Sequence, residues 1–382
     1  MQLSVIILNY NVRYFLELCI SSVQKAIEGL EAEIIVVDNN SSDDSCQMMK
    51  ERFSHIKLIE NKENTGFPKG NNIGVAQAKG EFICILNPDT VVAEDTFSRI
   101  LNTKNWQLNT GIIGCKLIDG TGKFLPESKR GVPTPWVAFT KIFGLYKIFP
   151  KWRAMNQYYA QHLTENQSGE VAILVGAFMA MKRDLYIELG GFDENCFMYS
   201  DDIDLSYMAL KRGKTNYYFH ETTVIHFKGE STVRDGLYMK RFREAMQFFY
   251  KKHFNSERSK FSFFDVMTKV GSFSFSIIKM FQGKTVLKSK PENYIFVTEK
   301  EENLALLKNF KVNEVNSKIE SAKSKERTEF IIDLNTISYK KAILLMDANK
   351  NTHYTFKMLL PNANFLIGSN SSNERGEVIF LL

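Results

Sequence analysis

The sequence predicts an α/β fold with a mostly parallel sheet covered by helices on both faces, followed by a small carboxyl-terminal α/β unit. Three observations predict it. Short apolar runs alternate with stretches of helical spacing from Ser4 to Leu86, the order that builds parallel sheets. The run from Phe82 to Leu86 is apolar at every position, as a strand buried on both faces must be. Asp38, Asn64, Asn87 and Asp89 follow the apolar runs, and open α/β sheets bind ligands beyond the carboxyl ends of their strands.

Residues 3–8 are the first strand, and residues 14–26 carry apolar side chains at helical spacing before a second strand at 33–37. Asp38 ends that strand. The polar turn after it, Asn39 to Ser45, caps a helix at 44–53. A third strand covers 56–60, a helix covers 69–78, and the strand 82–86 runs into Asn87-Pro88-Asp89. Strands are expected at 112–117 and 171–175. Between them, residues 131–160 form an aromatic and basic insertion with Trp136, Phe139, Phe143, Tyr146, Phe149 and Trp152. It reads either as a helical hairpin folded on the core or as an acceptor-facing or membrane-facing surface.

Residues 200–213 have acids in the first turn, bases in the last and Gly213 as terminator, which signals a helix. Extended segments at 217–219 and 223–226 and a basic, aromatic helix at 236–253 complete a first domain of residues 1–256. Residues 257–293 read as an amphipathic segment and basic linker. Its stretch 261–283 contains Asp265, Lys269 and Lys279, whose charges cost about 2.5 to 3.5 kcal/mol each at a bilayer centre, so it reads as interfacial and not spanning. Residues 294–382 resume the alternation, with strands at 294–297, 330–333 and 364–367 and helices at 300–308 and 339–347. The polar turn 368–376 after the last strand reads as a surface turn before it reads as a phosphate loop.

The composition is that of a folded soluble protein of 382 residues with a formal charge of +6, which does not argue for nucleic acid. Five scattered cysteines without a CxxC pair indicate neither a disulfide framework nor a zinc site. No secretory signal opens the sequence, so a cytoplasmic location is expected.

Asp89 is a hard oxygen ligand, suited to a magnesium or manganese ion that also binds a substrate diphosphate. His226 can be a second ligand or a hydrogen-bonded structural histidine. The motifs that gather around these residues are ordered: Val5 to Asn11, Val36 to Ser41, Asn64-Thr65-Gly66-Phe67 with Gly70-Asn71-Asn72, Leu86 to Asp89, Gly176-Ala177 ahead of Gly190 to Asp193, Asp201 to Leu205, and His226 to Ser231. In this order they resemble the family 2 glycosyltransferases of the GT-A fold, in particular the rhamnosyltransferase-like members. The resemblance covers about two-thirds of the chain.

The resemblance implies an inverting glycosyltransferase that moves a sugar from a nucleotide diphosphate to a hydroxyl of a glycan or lipid-linked glycan in cell-surface polysaccharide synthesis. It implies that Asn9, Asn11, Asp38, Asn64, Gly66, Asn71 and Asn87 hold the sugar nucleotide, UDP- or dTDP-linked in preference to GDP-linked. It further implies that Asp89 and His226 hold a divalent metal, Mg2+ or Mn2+, that Asp202 is the catalytic base, and that Asp201 supports it. Inverting transfer needs both a carboxylate to take the acceptor's proton and a cation to neutralise the departing diphosphate. Peripheral contact at the inner membrane face is expected, and nucleic acid is not. Three positions depart from the family pattern: Asn87 replaces the first acid of its DxD motif, Asp201 stands where Glu is usual, and Met208 stands near a usual Arg. Two other readings stay open at this point. One is a non-catalytic nucleotide or glycan-binding module; the other is a nucleotidyltransferase, although residues 8–15 hold no glycine for a phosphate loop.

Overall fold

A computed structural model describes residues 1–106, 109–149, 152, 154–227, 236–254, 291–308, 310–316, 326–350, 353–370 and 376–381. The segment 261–283, most of the linker and most of the turn 368–376 lie outside the described residues, as do positions 228–231 of the last motif.

The amino-terminal sheet is built around three central strands, β1 (Leu3–Asn9), β2 (Ala32–Asp38) and β4 (Phe82–Leu86). With β3 (Lys57–Glu60) they pair in parallel in the order β3-β2-β1-β4. Along β1, Val5 and Ile7 enter one hydrophobic cluster while Ile6 and Leu8 enter another on the opposite face. That division is why the strands are apolar throughout: burial on both faces removes the alternation a half-exposed strand would keep. The helices α1 (Arg13–Ala26), α2 (Ser45–Arg52) and α3 (Gly66–Val75) provide the crossovers, so the α/β expectation holds.

Beyond β4 the sheet changes direction. It continues through β10 (Phe178–Lys182), antiparallel to β4 and to β6 (Thr110–Ile118), and then through β11 (Thr215–His226), parallel to β6. Two expectations are corrected here, and one strand is added to them. No element is expected over residues 178–182, which form β10 directly after Gly176-Ala177. The expected strand at 171–175 is two pieces, β8 (Gly169–Val171) and β9 (Ile173–Leu174). The two extended segments near 217–226 are one strand whose register slips between Phe219 and Thr223, the local irregularity that made it read as two.

The insertion forms two short helices, α5 (Pro135–Ile142) and α6 (Leu145–Ile148), rooted on the short strand β7 (Lys129–Arg130), which pairs with β9. Thr134 caps α5 by accepting from the Val137 N–H. Buried Lys129 holds the returning chain by donating to the carbonyls of Tyr159, Ala160 and Leu163 at 2.8 to 3.1 Å. Helices α8 (Asp201–Lys211) and α9 (Gly236–Phe254) meet through Asp204, which is buried and accepts from Lys252 at 2.8 Å while lying 2.6 Å from the His253 ring.

Residues 291–381 form a second, six-stranded sheet. The strands β12 (Asn293–Val297), β13 (Glu314–Asn316), β14 (Thr328–Asp333) and β15 (Tyr354–Leu359) are parallel, and β16 (Phe365–Ser369) and β17 (Glu377–Phe380) add an antiparallel edge. The expected helix at 300–308 is a 3₁₀ helix, Glu301–Leu307. This sheet packs directly on the first one. Phe15, Val91, Ile225 and Phe227 share a cluster with Phe330, Ile332, Met346 and Phe356. Glu94 receives the Tyr339 and Lys340 N–H groups at 2.7 and 2.8 Å, capping the helix Tyr339–Ala348 from the neighbouring unit.

Candidate active site

Parallel pairing brings the ends of β1 and β2 side by side, with Asn9 opposite Asp38. The Asn9 amide donates to Asp38 at 2.7 Å, and Ser41 donates to the same carboxylate through its N–H at 2.8 Å and its hydroxyl at 2.7 Å. Asn11 adopts φ +56°, a left-handed conformation that Asn tolerates. Its side-chain oxygen accepts from the Ser42 N–H at 2.7 Å. A rigid polar shelf results at the carboxyl edge of the sheet.

Asn39 extends the shelf by donating to the Asn64 side chain at 3.2 Å and to the Gly66 carbonyl at 3.0 Å. Gly66 sits at φ +81°, and a Cβ there would meet the Phe197 carbonyl at 2.8 Å, so glycine is required twice over. Asn71 is buried and donates to the Phe67 carbonyl one turn earlier at 2.9 Å. Asn39 and Ser41 were legible only as motif positions, although they organise this part of the site.

Asp89 and His226, 137 positions apart in the sequence, meet because the two-residue strand β5 (Thr90–Val91) pairs antiparallel with the end of β11, His226 opposite Thr90. The His226 Nε2 atom lies 3.3 Å from Asp89 Oδ1 and 3.3 Å from the Asn87 amide nitrogen. The ring approaches Asp89 without hydrogen-bond geometry. Both Asp89 oxygens, Asn87 Oδ1 and His226 Nδ1 are buried and find no hydrogen-bond partner among the described residues.

On the other side of β4, the Asn87 N–H donates to the Ala177 carbonyl at 3.1 Å, and the adjoining Gly176 N–H donates to Asp202 at 3.0 Å. Asp202 is also paired with Arg130, whose Nη2 lies 2.5 Å from the same Oδ2. Arg130 escaped the sequence reading because a lone basic residue before a basic insertion carries no pattern. Asp201 begins α8 beside it, buried, with Oδ1 unpartnered among the described residues. Burial, reinforced by the neighbouring Asp202 charge, pushes the Asp201 carboxyl up to about 7. Tyr199, two residues earlier, holds φ +78°, a strained conformation of the sort that gathers at functional sites.

The unsatisfied atoms are concentrated. Of twelve buried side-chain atoms without a partner among the described residues, seven belong to Asn9, Asn71, Asn87, Asp89, Asp201 and His226. Native structures leave few such atoms, since each one costs free energy unless a ligand, ion or water completes it.

Residues 4–190 match the family model described as glycosyl transferase family 2. This region belongs to glycosyltransferase family 2. Among curated relatives, the chain is 25% identical over 244 residues to an N-acetylglucosaminyl-diphospho-decaprenol L-rhamnosyltransferase of Mycobacterium tuberculosis, covering 61% of this chain and 78% of the relative. It is 28% identical over 215 residues to the low-salt glycan biosynthesis hexosyltransferase Agl10 of Haloferax volcanii, covering 55% and 62%. It is 35% identical over 133 residues to the GalNAc(5)-diNAcBac-PP-undecaprenol beta-1,3-glucosyltransferase of Campylobacter jejuni, covering 33% and 41%. Family 2 membership sets aside the nucleotidyltransferase reading. Among the described residues no helix is long and apolar enough to cross a membrane.

Proposed function

We propose that this family 2 glycosyltransferase is inverting and uses a divalent cation, transferring a sugar from a UDP- or dTDP-linked donor to a hydroxyl of a lipid-linked glycan at the cytoplasmic face of a membrane, with peripheral contact. The observation that carries the reading is the buried, donor-free Asp89 carboxylate beside His226 and Asn87. Among the described residues no three acids, histidines or cysteines group to hold an ion alone, which suits a cation that takes its remaining ligands from a diphosphate and water.

Asp89 and His226 would hold the metal. When bound, it supplies positive charge to the departing diphosphate. Asn9, Asn11, Asp38, Asn64, Gly66 and Asn71 form the donor shelf on which base and ribose rest, and Asn87 faces the diphosphate. Asp202 takes the proton from the acceptor hydroxyl as that oxygen bonds to the anomeric carbon, and the bond from that carbon to the diphosphate oxygen breaks on the opposite face. Arg130 and the Gly176 N–H fix the Asp202 carboxylate through one oxygen, leaving the other for the acceptor. Asp201 supports it. The division into residues 1–256, 257–293 and 294–382 is part of the proposal, the first part carrying the chemistry. The lipid-linked acceptor follows the Mycobacterium and Campylobacter relatives, whose names specify diphospho-decaprenol and PP-undecaprenol substrates.

Calorimetric titration of UDP, dTDP and GDP, each with and without Mn2+, tests the reading. Metal-dependent binding of one nucleotide, lost in Asp89→Ala, is the expected result. Absence of binding by all three would favour a non-catalytic module.

A further inference from the structure

We propose that the α5–α6 cap is a docking surface for an anionic lipid bilayer, which deepens the peripheral contact proposed above and rests on that reading. Helix α5 turns one side into the protein and leaves an adjacent aromatic side open. Val137 and Thr140 are buried, while Trp136 and Phe143 are each 47% exposed. Large apolar side chains left open together mark interaction surfaces, and Trp136 and Phe143 have no covering element among the described residues. Trp136, Phe139 and Phe143 run along that side at helical spacing, with ring centroids 5.5 and 4.6 Å apart. The strip continues past Gly144 into Ile148, Phe149 and Trp152, which are 64%, 45% and 58% exposed.

Charge chooses the occupant. Between Glu127 and Glu165 the sequence has no acidic residue, but it has Lys129, Arg130, Lys141, Lys147, Lys151 and Arg153. Lys129 and Arg130 are consumed inside the protein. Lys141 is also engaged inside, 3.7 Å from the ring centroid of buried Tyr158, whereas Lys147 is exposed beside Ile148 and Phe149. Aromatic rings interleaved with lysine and free of carboxylates suit the headgroup zone of a membrane with anionic lipid, where the rings bury and the ammonium groups meet phosphate.

The cap is rooted at the site. Trp136 Nε1 donates to the Ala154 carbonyl at 2.8 Å, closing the cap on itself. Its first strand ends in Arg130, the residue that holds Asp202. Docking through this surface therefore sets the acceptor side of the active site against the lipid from which a lipid-linked acceptor comes.

The test is sedimentation of the full-length chain with vesicles of phosphatidylcholine alone and of phosphatidylcholine with phosphatidylglycerol, for wild type and the variant Ile148→Ser/Phe149→Ser/Trp152→Ser. Wild type is expected to pellet about tenfold more with the anionic vesicles, with the difference lost at high salt. The variant is expected to lose about tenfold in anionic binding while unfolding at the wild-type temperature. Wild type that stays in the supernatant with both vesicles overturns the proposal. So does a variant that binds as wild type does, or a solution dimer that the variant dissociates. The measurement uses neither donor nor acceptor, so its failure leaves glycosyl transfer standing, and a failure of nucleotide binding leaves the vesicle result readable.

Discussion

Arg130 Nη2 lies 2.5 Å from Asp202 Oδ2, and both side chains are nearly excluded from water. The carboxylate proposed to take the acceptor's proton is therefore positioned by a cation from a distant part of the chain. Replacing Arg130 by Met leaves that carboxylate without its partner, and removing one member of a buried pair costs about 3 to 5 kcal/mol. Lower thermal stability and a fall in kcat with a smaller change in donor KM are expected, together with a changed pH–rate profile. Arg130→Lys should recover part of the rate, whereas a purely structural role would restore stability alone.

Asp201 and Asp202 are separable by substitution. Loss of a general base costs about 10² to 10⁴ in rate, so Asp202→Asn should fall in that range. Asp201→Asn should retain more activity, as measured by sugar release from the donor in the presence of acceptor. Equal losses would assign the proton transfer to the pair and not to Asp202.

Burial raises the Asp201 carboxyl from 3.8 to about 7. Folded protein then holds a proton that unfolded protein has released, so stability falls as pH rises through that window and the full penalty is present above it. Asp201→Asn removes a group that must ionise while buried. Its melting temperature should exceed that of wild type at pH about 8, and the advantage should vanish near pH 4.

The buried oxygens of Asp89 have no donor among the described residues. Asp89→Asn and His226→Ala should each lower kcat by about 10² to 10³, the scale set by removing one stabiliser of developing charge. Chelation should mimic them. Nucleotide titrations with Mn2+ check the same point without turnover.

Gly66 at φ +81° faces the Phe197 carbonyl. Gly66→Ala should destabilise the chain by about 1 to 3 kcal/mol from backbone strain, with further loss from the collision. Weaker nucleotide binding should accompany the lower melting temperature, because Asn39 and Asn64 are tied to this turn.

Periodicity and order in the sequence determined the parallel half of the sheet and the crevice at its edge. The apolar runs ending in Asn9, Asp38 and Asn87 become strands β1, β2 and β4 almost to the residue, because burial on both faces leaves a local signature in every residue. Asn9, Asp38 and Asn87 fall at those strand ends for the same reason, whereas their proposed roles in donor binding come from the motif resemblance. Tertiary structure alone decided the rest. β10 enters the sheet antiparallel, His226 reaches Asp89 through a two-residue strand pairing, and Arg130 reaches Asp202 from 72 positions away. Each of these depends on contacts between segments far apart in the chain, and such a contact leaves no periodicity in either segment. The packing of the second sheet behind Phe227, the residue after His226, is of the same kind: complementary apolar faces meet only once both sheets exist.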